Sequence, residues 1–188
     1  MKFIIVGLHC CGKQEVMDTL QRDGIDCGRL FTNADLADDR YDFFTDEDIR
    51  SIFENNAHIF IRDVAYNSNC YEGLSFYEFD NKDVFALTPD QFISIPNVPL
   101  KDEVCIVWLD ANKASRYNRY KQEKRSYNWN EEEAFETHDM SEFVKYIYNF
   151  PNSHLIYFNN EDPQRVAGII YAMVKHPDLL PILEKKFN

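Results

Sequence analysis

The segment Gly7-Leu8-His9-Cys10-Cys11-Gly12-Lys13 satisfies the pattern G-x-x-x-x-G-K, directly after the apolar run Phe3 to Val6 and directly before residues at helical spacing. In that context the glycines let the backbone curl until successive N–H groups point at phosphate oxygens. The start of a helix adds partial positive charge, and Lys13 reaches the terminal phosphates. A nucleoside triphosphate is the expected ligand, touching Gly7, His9, Cys10, Cys11, Gly12, Lys13, Gln14 and Glu15, with His9 contributing through its backbone rather than its ring. The bland alternative is a tight strand-to-helix turn that happens to contain Gly and Lys. After the lysine, where a Ser or Thr hydroxyl normally ligates magnesium, stands Gln14, whose longer side chain is expected to reach a metal ion only through a water.

A second cluster lies far along the chain. From Lys113 to Arg125 there are six Lys or Arg residues against one Glu, in a protein whose formal net charge is −12. Such an island is an anion site or a solvated helix face.

Positioning these residues requires buried strands that alternate with helices. Phe3 to Val6 reads as a strand buried on both faces, and Val104 to Leu109 and His154 to Phe158 read as two more. Val16, Met17 and Leu20 continue the opening as a helix that stops at Gly24. Thr45 and Asp48 form a capping-box analogue before a helix that ends near Asn55-Asn56. His58 to Tyr66, Tyr71 to Phe79 and Asp83 to Leu87 suggest a small meander, and Pro89, Pro96 and Pro99 then break the pattern. A polar, tyrosine-rich helical zone follows Leu109 through about Asn149. Asp162 and Pro163 occupy N-cap and N1 positions of a helix whose stripe is Val166, Ile169, Ile170, Met173 and Val174, and Leu179 to Phe187 reads as a short docking helix. The sum is a three-layer α/β fold with a β-rich insertion over one end of a parallel sheet, where ligands lie beyond the C-terminal ends of the strands.

Composition bounds the rest. A chain of 188 residues with 45% hydrophobic and 28% charged content is expected to form one domain. No stretch approaches the roughly 20 apolar residues of a membrane span, and no secretory apolar region opens the chain, so a cytoplasmic protein without membrane contact is expected. The acidic balance disfavours nucleic acid. Cys10, Cys11, Cys27, Cys70 and Cys105 form no C-x-x-C pair and are expected as reduced thiols, and His138 and His154 have no partner at metal-ligand spacing. The run Asp35, Asp38, Asp39, Asp42, Asp46, Glu47, Asp48 reads as a solvated surface. No G-x-S-x-G element supports a nucleophilic hydrolase.

Taken together, the loop, Arg40-Tyr41-Asp42-Phe43 ahead of the Thr45 helix, Asn69-Cys70-Tyr71-Glu72-Gly73-Leu74-Ser75, Thr88-Pro89-Asp90-Gln91 and Asn159-Asn160-Glu161-Asp162 resemble, in order and spacing, the guanylate kinases. The resemblance runs nearly end to end. It implies a P-loop fold with a core of residues 1–30, 84–112 and 150–188, a monophosphate-binding insertion at 31–83 and a helical lid at 113–149. It implies ATP and Mg2+, with the adenine near Asn159 and Asn160, and a nucleoside monophosphate gripped by Arg29, Arg40, Tyr41 and Tyr71. Asp63 and Asp90 stand in for the glutamate that the family uses to read guanine, because Arg62-Asp63 occupies its place. In the lid, Arg119 matches the first arginine, with Arg116 and Arg125 beside it, and a further arginine is replaced by the Glu131-Glu132-Glu133 and Glu136 region.

Two functions follow from these expectations. The first is ATP-dependent phosphoryl transfer to a (deoxy)nucleoside monophosphate, GMP, dGMP or a related base, by a monomer or homodimer. The alternative is a weak or inactive guanylate-kinase-like binding module, favoured by Gln14 and by the missing arginine and glutamate.

Overall fold

Strand β1 (Lys2–Val6) is apolar throughout because both of its faces are covered: Phe3 and Ile5 point to one core cluster, Ile4 and Val6 to another. The computed structural model describes residues 1–34, 41–63, 70–95, 104–122, 129–147, 154–159 and 162–180. After β1 the chain forms α1 (Lys13–Arg22), then the short strands β2 (Leu30–Thr32) and β3 (Tyr41–Phe43), and then α2 (Asp46–Glu54). Next come β4 (His58–Asp63), β5 (Tyr71–Ser75), α3 (Phe76–Asn81), β6 (Val84–Leu87) and α4 (Pro89–Ile93). The remainder is β7 (Val104–Asp110), α5 (Lys113–Gln122), α6 (Trp129–Ile147), β8 (His154–Asn159), α7 (Pro163–Lys175) and a 3-10 turn at Pro177–Leu179.

Four strands build a wholly parallel core sheet in the order β6-β1-β7-β8. One face is covered by α1 and α7, whose Val16, Leu20, Val166, Ile170 and Met173 meet Phe3, Ile5, Val107 and Ile156. Against the other face lie Phe92 of α4 and Phe143 of α6, packed around Trp108, Ile4 and Leu87. The result is the expected three-layer α/β arrangement.

A second sheet, ordered β3-β2-β5-β4, is joined to the first through Phe60 and Leu74, which lie in the same core cluster as Phe85 and Leu87. Two expectations change here. The stretch Tyr71 to Phe79 is not one strand: Ser75 accepts a hydrogen bond from the Glu78 amide and caps α3, so the strand stops. Nor does Asp83 to Leu87 belong to a meander. It pairs parallel with β1, and Val84, Phe85 and Leu87 are buried by the two clusters on either side of the core sheet. The short strands β2 and β3, three residues each, carry too little pattern to be read from sequence.

Of the acidic run, Asp46, Glu47 and Asp48 are exposed as a solvated surface requires, and Asp35, Asp38 and Asp39 lie outside the described residues. Asp42 faces Arg29 at 3.5 Å, Asp46 accepts from the Asn33 amide at 2.7 Å, and Asp48 closes the capping box with Thr45. Leu180 is buried, and the remainder of the expected terminal helix lies outside the described residues.

Candidate active site

The parallel pairing Val6↔Leu87 and Val6↔Trp108 brings the ends of β6, β1 and β7 to one edge, so the Gly7 loop, the start of α4 and the start of α5 are neighbours. Gly7 anchors the loop: its N–H donates to the Leu87 carbonyl at 3.3 Å, and a Cβ on it would collide with the Leu109 carbonyl and stand 2.6 Å from the Cys11 sulfur. The curl comes from two left-handed residues, Cys10 at φ 57° and Gly12 at φ 94°. Gly12 is also the N-cap of α1 and offers no side chain to the first-turn amides, whereas α2, α3, α4 and α7 are capped by Thr45, Ser75, Thr88 and Asp162. The α1 terminus therefore keeps the positive end of its dipole for a ligand.

Three cations converge on this loop. Lys13 folds back, and its ammonium donates to the carbonyls of Gly7 at 2.5 Å and Leu8 at 2.8 Å. Arg116, one of the few buried charged residues, donates from Nε to the His9 carbonyl at 3.0 Å and lays its guanidinium over the Trp129 ring. Arg119, one helical turn on, donates to the Cys10 carbonyl at 3.3 Å and approaches Glu15 at 3.6 Å. Burial pushes the Cys11 thiol up despite the nearby Lys13, so it is a packing group here rather than a nucleophile. Beside Arg116 opens a cavity of about 660 Å³ lined by Lys113, Ala114, Tyr117, Tyr120, Trp129 and Asn130.

Gln14 does not address the loop. Its amide donates to Asp18 at 2.7 Å along α1, so it supplies no ligand where a P-loop hydroxyl would hold magnesium. Among the described residues no group of three His, Cys, Asp or Glu side chains is placed to hold a metal ion. The residues present fit a triphosphate and do not fit a side-chain-ligated magnesium.

Opposite the loop, the second sheet sorts the expected acceptor-binding residues onto its two faces. Leu74 and Phe60 point inward, and so do their neighbours at spacing two, Glu72 and Arg62, which are cross-strand partners. Glu72 is 5% exposed; its carboxylate accepts from Arg62 Nε at 2.6 Å, Gln91 Nε2 at 3.0 Å and the Tyr41 hydroxyl at 3.0 Å. Arg62 also reaches Asp90 at 2.5 Å, and the Thr88 hydroxyl donates to the other oxygen of that carboxylate. Burial alone would raise the Asp90 carboxyl, but the Arg62 guanidinium and the Thr88 hydroxyl hold it below the usual carboxylate range, with a smaller contribution from His9 of the loop. The same two carboxylates raise Arg62 above its ordinary value against the opposing effect of burial.

Tyr41 and Asp90 are therefore brought together beside the loop. Asp63 and Tyr71, also cross-strand partners, fall on the outward face with Arg29, whose guanidinium is turned to Asp42. Arg40, Arg125 and Asn160 lie outside the described residues, and Asn159 is placed only as the last residue of β8, opposite Asp110. Sequence reasoning passed over Arg62, Glu72 and Gln91 as site residues. The available signals were a charge at every second position of otherwise apolar strands, Phe60-x-Arg62 and Glu72-x-Leu74, and the capping-box pattern Thr88-x-x-Gln91.

No protein-family model matches the chain, and neither does any curated protein. Among solved structures, the fold is similar to guanylate kinase from Anaplasma phagocytophilum, with a TM-score of 0.57 and 14% identity over 94% of this chain and 85% of that one. The chain has a divergent guanylate-kinase-like P-loop fold. A looser likeness links it to shikimate kinase from Acinetobacter baumannii in complex with shikimate, at a TM-score of 0.46 and 15% identity over 95% and 94% of the two chains. In sequence the second sheet lies between α1 and β6 of the core, and α5 carries the arginines that face the loop. No helix among the described residues is long and apolar enough to cross a membrane.

Proposed function

We propose that this chain is an ATP-dependent kinase that transfers the γ-phosphoryl group to the phosphate of a nucleoside monophosphate. What carries the reading is the convergence of Lys13, Arg116 and Arg119 on the carbonyls of Gly7, His9 and Cys10, at a helix start with no side-chain cap. Arg116 holds the loop through His9, and a triphosphate offers anionic oxygens that replace the Gly7 and Cys10 carbonyls as acceptors for Lys13 and Arg119. The guanylate kinase whose fold is similar agrees with phosphoryl transfer.

In this reading residues 31–83 are the acceptor-binding insertion, and the loop-facing part of the 113–149 lid is α5, since Phe143 further along is packed in the core. ATP lies in the Gly7 to Glu15 loop with its base toward Asn159 and Asn160. The acceptor lies between the loop and the inward face of the second sheet, next to Tyr41 and Asp90. An oxygen of the acceptor phosphate attacks the γ-phosphorus in line, the bond to the β-phosphate oxygen breaks, and ADP leaves with that electron pair. Lys13 and Arg119 neutralise the charge that spreads over the transferring group, and Arg116 fixes the loop's shape.

One observation favours the alternative of a weak or inactive binding module: Gln14 is committed to Asp18. A coupled assay of ADP release with a panel of ribo- and deoxynucleoside monophosphates separates the two. The kinase turns over at least one acceptor and loses about 10²–10³-fold in rate on Lys13→Ala. Absence of turnover with every acceptor supports the module.

A further inference from the structure

We propose that the cavity between α5 and α6 is a second ligand site, separate from the phosphate loop, and that it takes a small molecule in which a flat aromatic ring carries a negative charge. The inference is independent of the phosphoryl-transfer reading.

Separation from the loop follows from the helix. Lys113, Ala114, Tyr117 and Tyr120 line the cavity at i, i+1, i+4 and i+7, which is one face of α5. Arg116 and Arg119 stand on the adjoining face, turned to the loop by their hydrogen bonds to the His9 and Cys10 carbonyls. Trp129 and Asn130, the first residues of α6, complete the lining.

The walls define the ring. The Trp129 centroid lies 5.3 Å from that of Tyr117 and 5.3 Å from that of Tyr120, with the planes tilted by 59° and 54°. Rings that served only to staple α5 to α6 would close the space between the helices. These border about 660 Å³, within the range of small-molecule sites, and Tyr117 keeps 39% of its surface open to solvent. A flat ring gains stacking energy on Tyr and Trp faces whatever its substituents are. The Trp129 wall is also set before a ligand arrives, because the Arg116 guanidinium lies 5.4 Å above it and is itself tied to the His9 carbonyl at 3.0 Å.

The surrounding charge defines the rest. Among the described residues, the charged side chains placed at these rings are cations: Lys113 in the lining, Arg116 over Trp129, and Lys121 with its ammonium 4.2 Å from the Tyr117 centroid. Their field disfavours the organic ammonium that an aromatic box would otherwise hold and attracts an anion. The Lys113 ammonium is the group that meets the anionic end, and the Asn130 amide offers one donor and one acceptor to a polar ring edge.

The test is calorimetric titration of the full chain with 2-naphthoate, its neutral amide and its saturated counterpart decahydro-2-naphthoate. One 2-naphthoate is expected to bind per chain with a Kd below about 1 mM. The amide should bind about threefold more weakly, and the saturated acid at least about fivefold more weakly. Tyr120→Ala should weaken 2-naphthoate at least about tenfold. Should that variant fail to fold, Lys113→Ala changes an exposed side chain and should cost 2-naphthoate about threefold while leaving the amide unaffected. Lys13→Ala should bind 2-naphthoate as the wild type does. In that variant, displacement of 2-naphthoate by a nucleoside monophosphate identifies the ligand as a nucleotide, and displacement by indole-3-acetate alone identifies it as another aromatic acid; both results uphold the site. No binding at about 1 mM, equal binding of the three probes, or tighter binding of tetramethylammonium than of 2-naphthoate overturns the proposal. Loss of 2-naphthoate binding in Lys13→Ala, or its displacement by ATP in the wild type, assigns the probe to the phosphate loop and overturns the proposal with the kinase reading intact.

Discussion

Arg116 and His9 are 107 residues apart in sequence and are joined by a 3.0 Å hydrogen bond from the guanidinium Nε to the backbone carbonyl, with the same guanidinium stacked on Trp129. The phosphate loop is thus shaped by α5 as well as by its own glycines. Arg116→Ala should remove both the bond and the stack and lower stability by about 1–3 kcal/mol, with a matching loss of ATP affinity. Denaturant unfolding and ATP titration check it. Arg116→Lys keeps the charge but not the planar face and should recover only part of the loss.

Gly7 offers a separate test of loop geometry, because its backbone is packed against the Leu109 carbonyl and the Cys11 sulfur. Gly7→Ala must move β7 or the loop and should cost about 1–3 kcal/mol of stability. Urea unfolding of the variant is the measurement, and wild-type stability would show that the loop has room the packing denies.

Asp90 gives a pH dependence with a definite sign. Its carboxyl sits below the usual range in the folded state, so its contribution to stability is present above the unfolded value near pH 4. That contribution is lost as pH falls through the depressed folded value. Asp90→Asn should therefore be less stable than wild type at pH 7, by about 1–3 kcal/mol, with the gap narrowing below about pH 4. Parallel thermal melts from pH 7 to pH 3 measure it. A gap independent of pH would mean that Asp90 is not held by Arg62.

Thiol chemistry follows burial. Cys27 is pushed up to about 11 by burial and then by the nearby Asp26, and Cys11 is raised by its complete burial. At pH 8 both should resist iodoacetamide in the folded protein and react in urea. Peptide mass spectrometry reads the outcome, and rapid labelling of Cys11 in the native state would contradict the packed loop.

How much of this was legible in the sequence depends on range. The phosphate loop could be read because its strand, glycines, lysine and helix are contiguous, and the caps at Thr45 and Asp162 could be read for the same reason. Ser75 could not be told from a continuing strand, since its role as cap appears only once α3 forms. Val84 to Leu87 looked like its neighbours in the second sheet because a β-rich segment carries no mark of the sheet it joins, and pairing with β1 decides that. The row Glu72–Arg62–Asp90 needs three separate elements in register, and a single charged residue in a strand gives no sign of its partners. Arg29, Tyr71 and Asp63 follow from the resemblance to the guanylate kinases, which aligns positions along the chain, whereas strand alternation sets which face each one serves.

The most direct measurement of the whole account follows the γ-phosphate itself, with ATP labelled at that position and the preferred monophosphate as acceptor. Label recovered in the nucleoside diphosphate by the wild type, and lost about 10²–10³-fold in Lys13→Ala, is the predicted result. Label found only in inorganic phosphate or retained in ATP with every acceptor, or transfer that persists undiminished without Lys13, would contradict it.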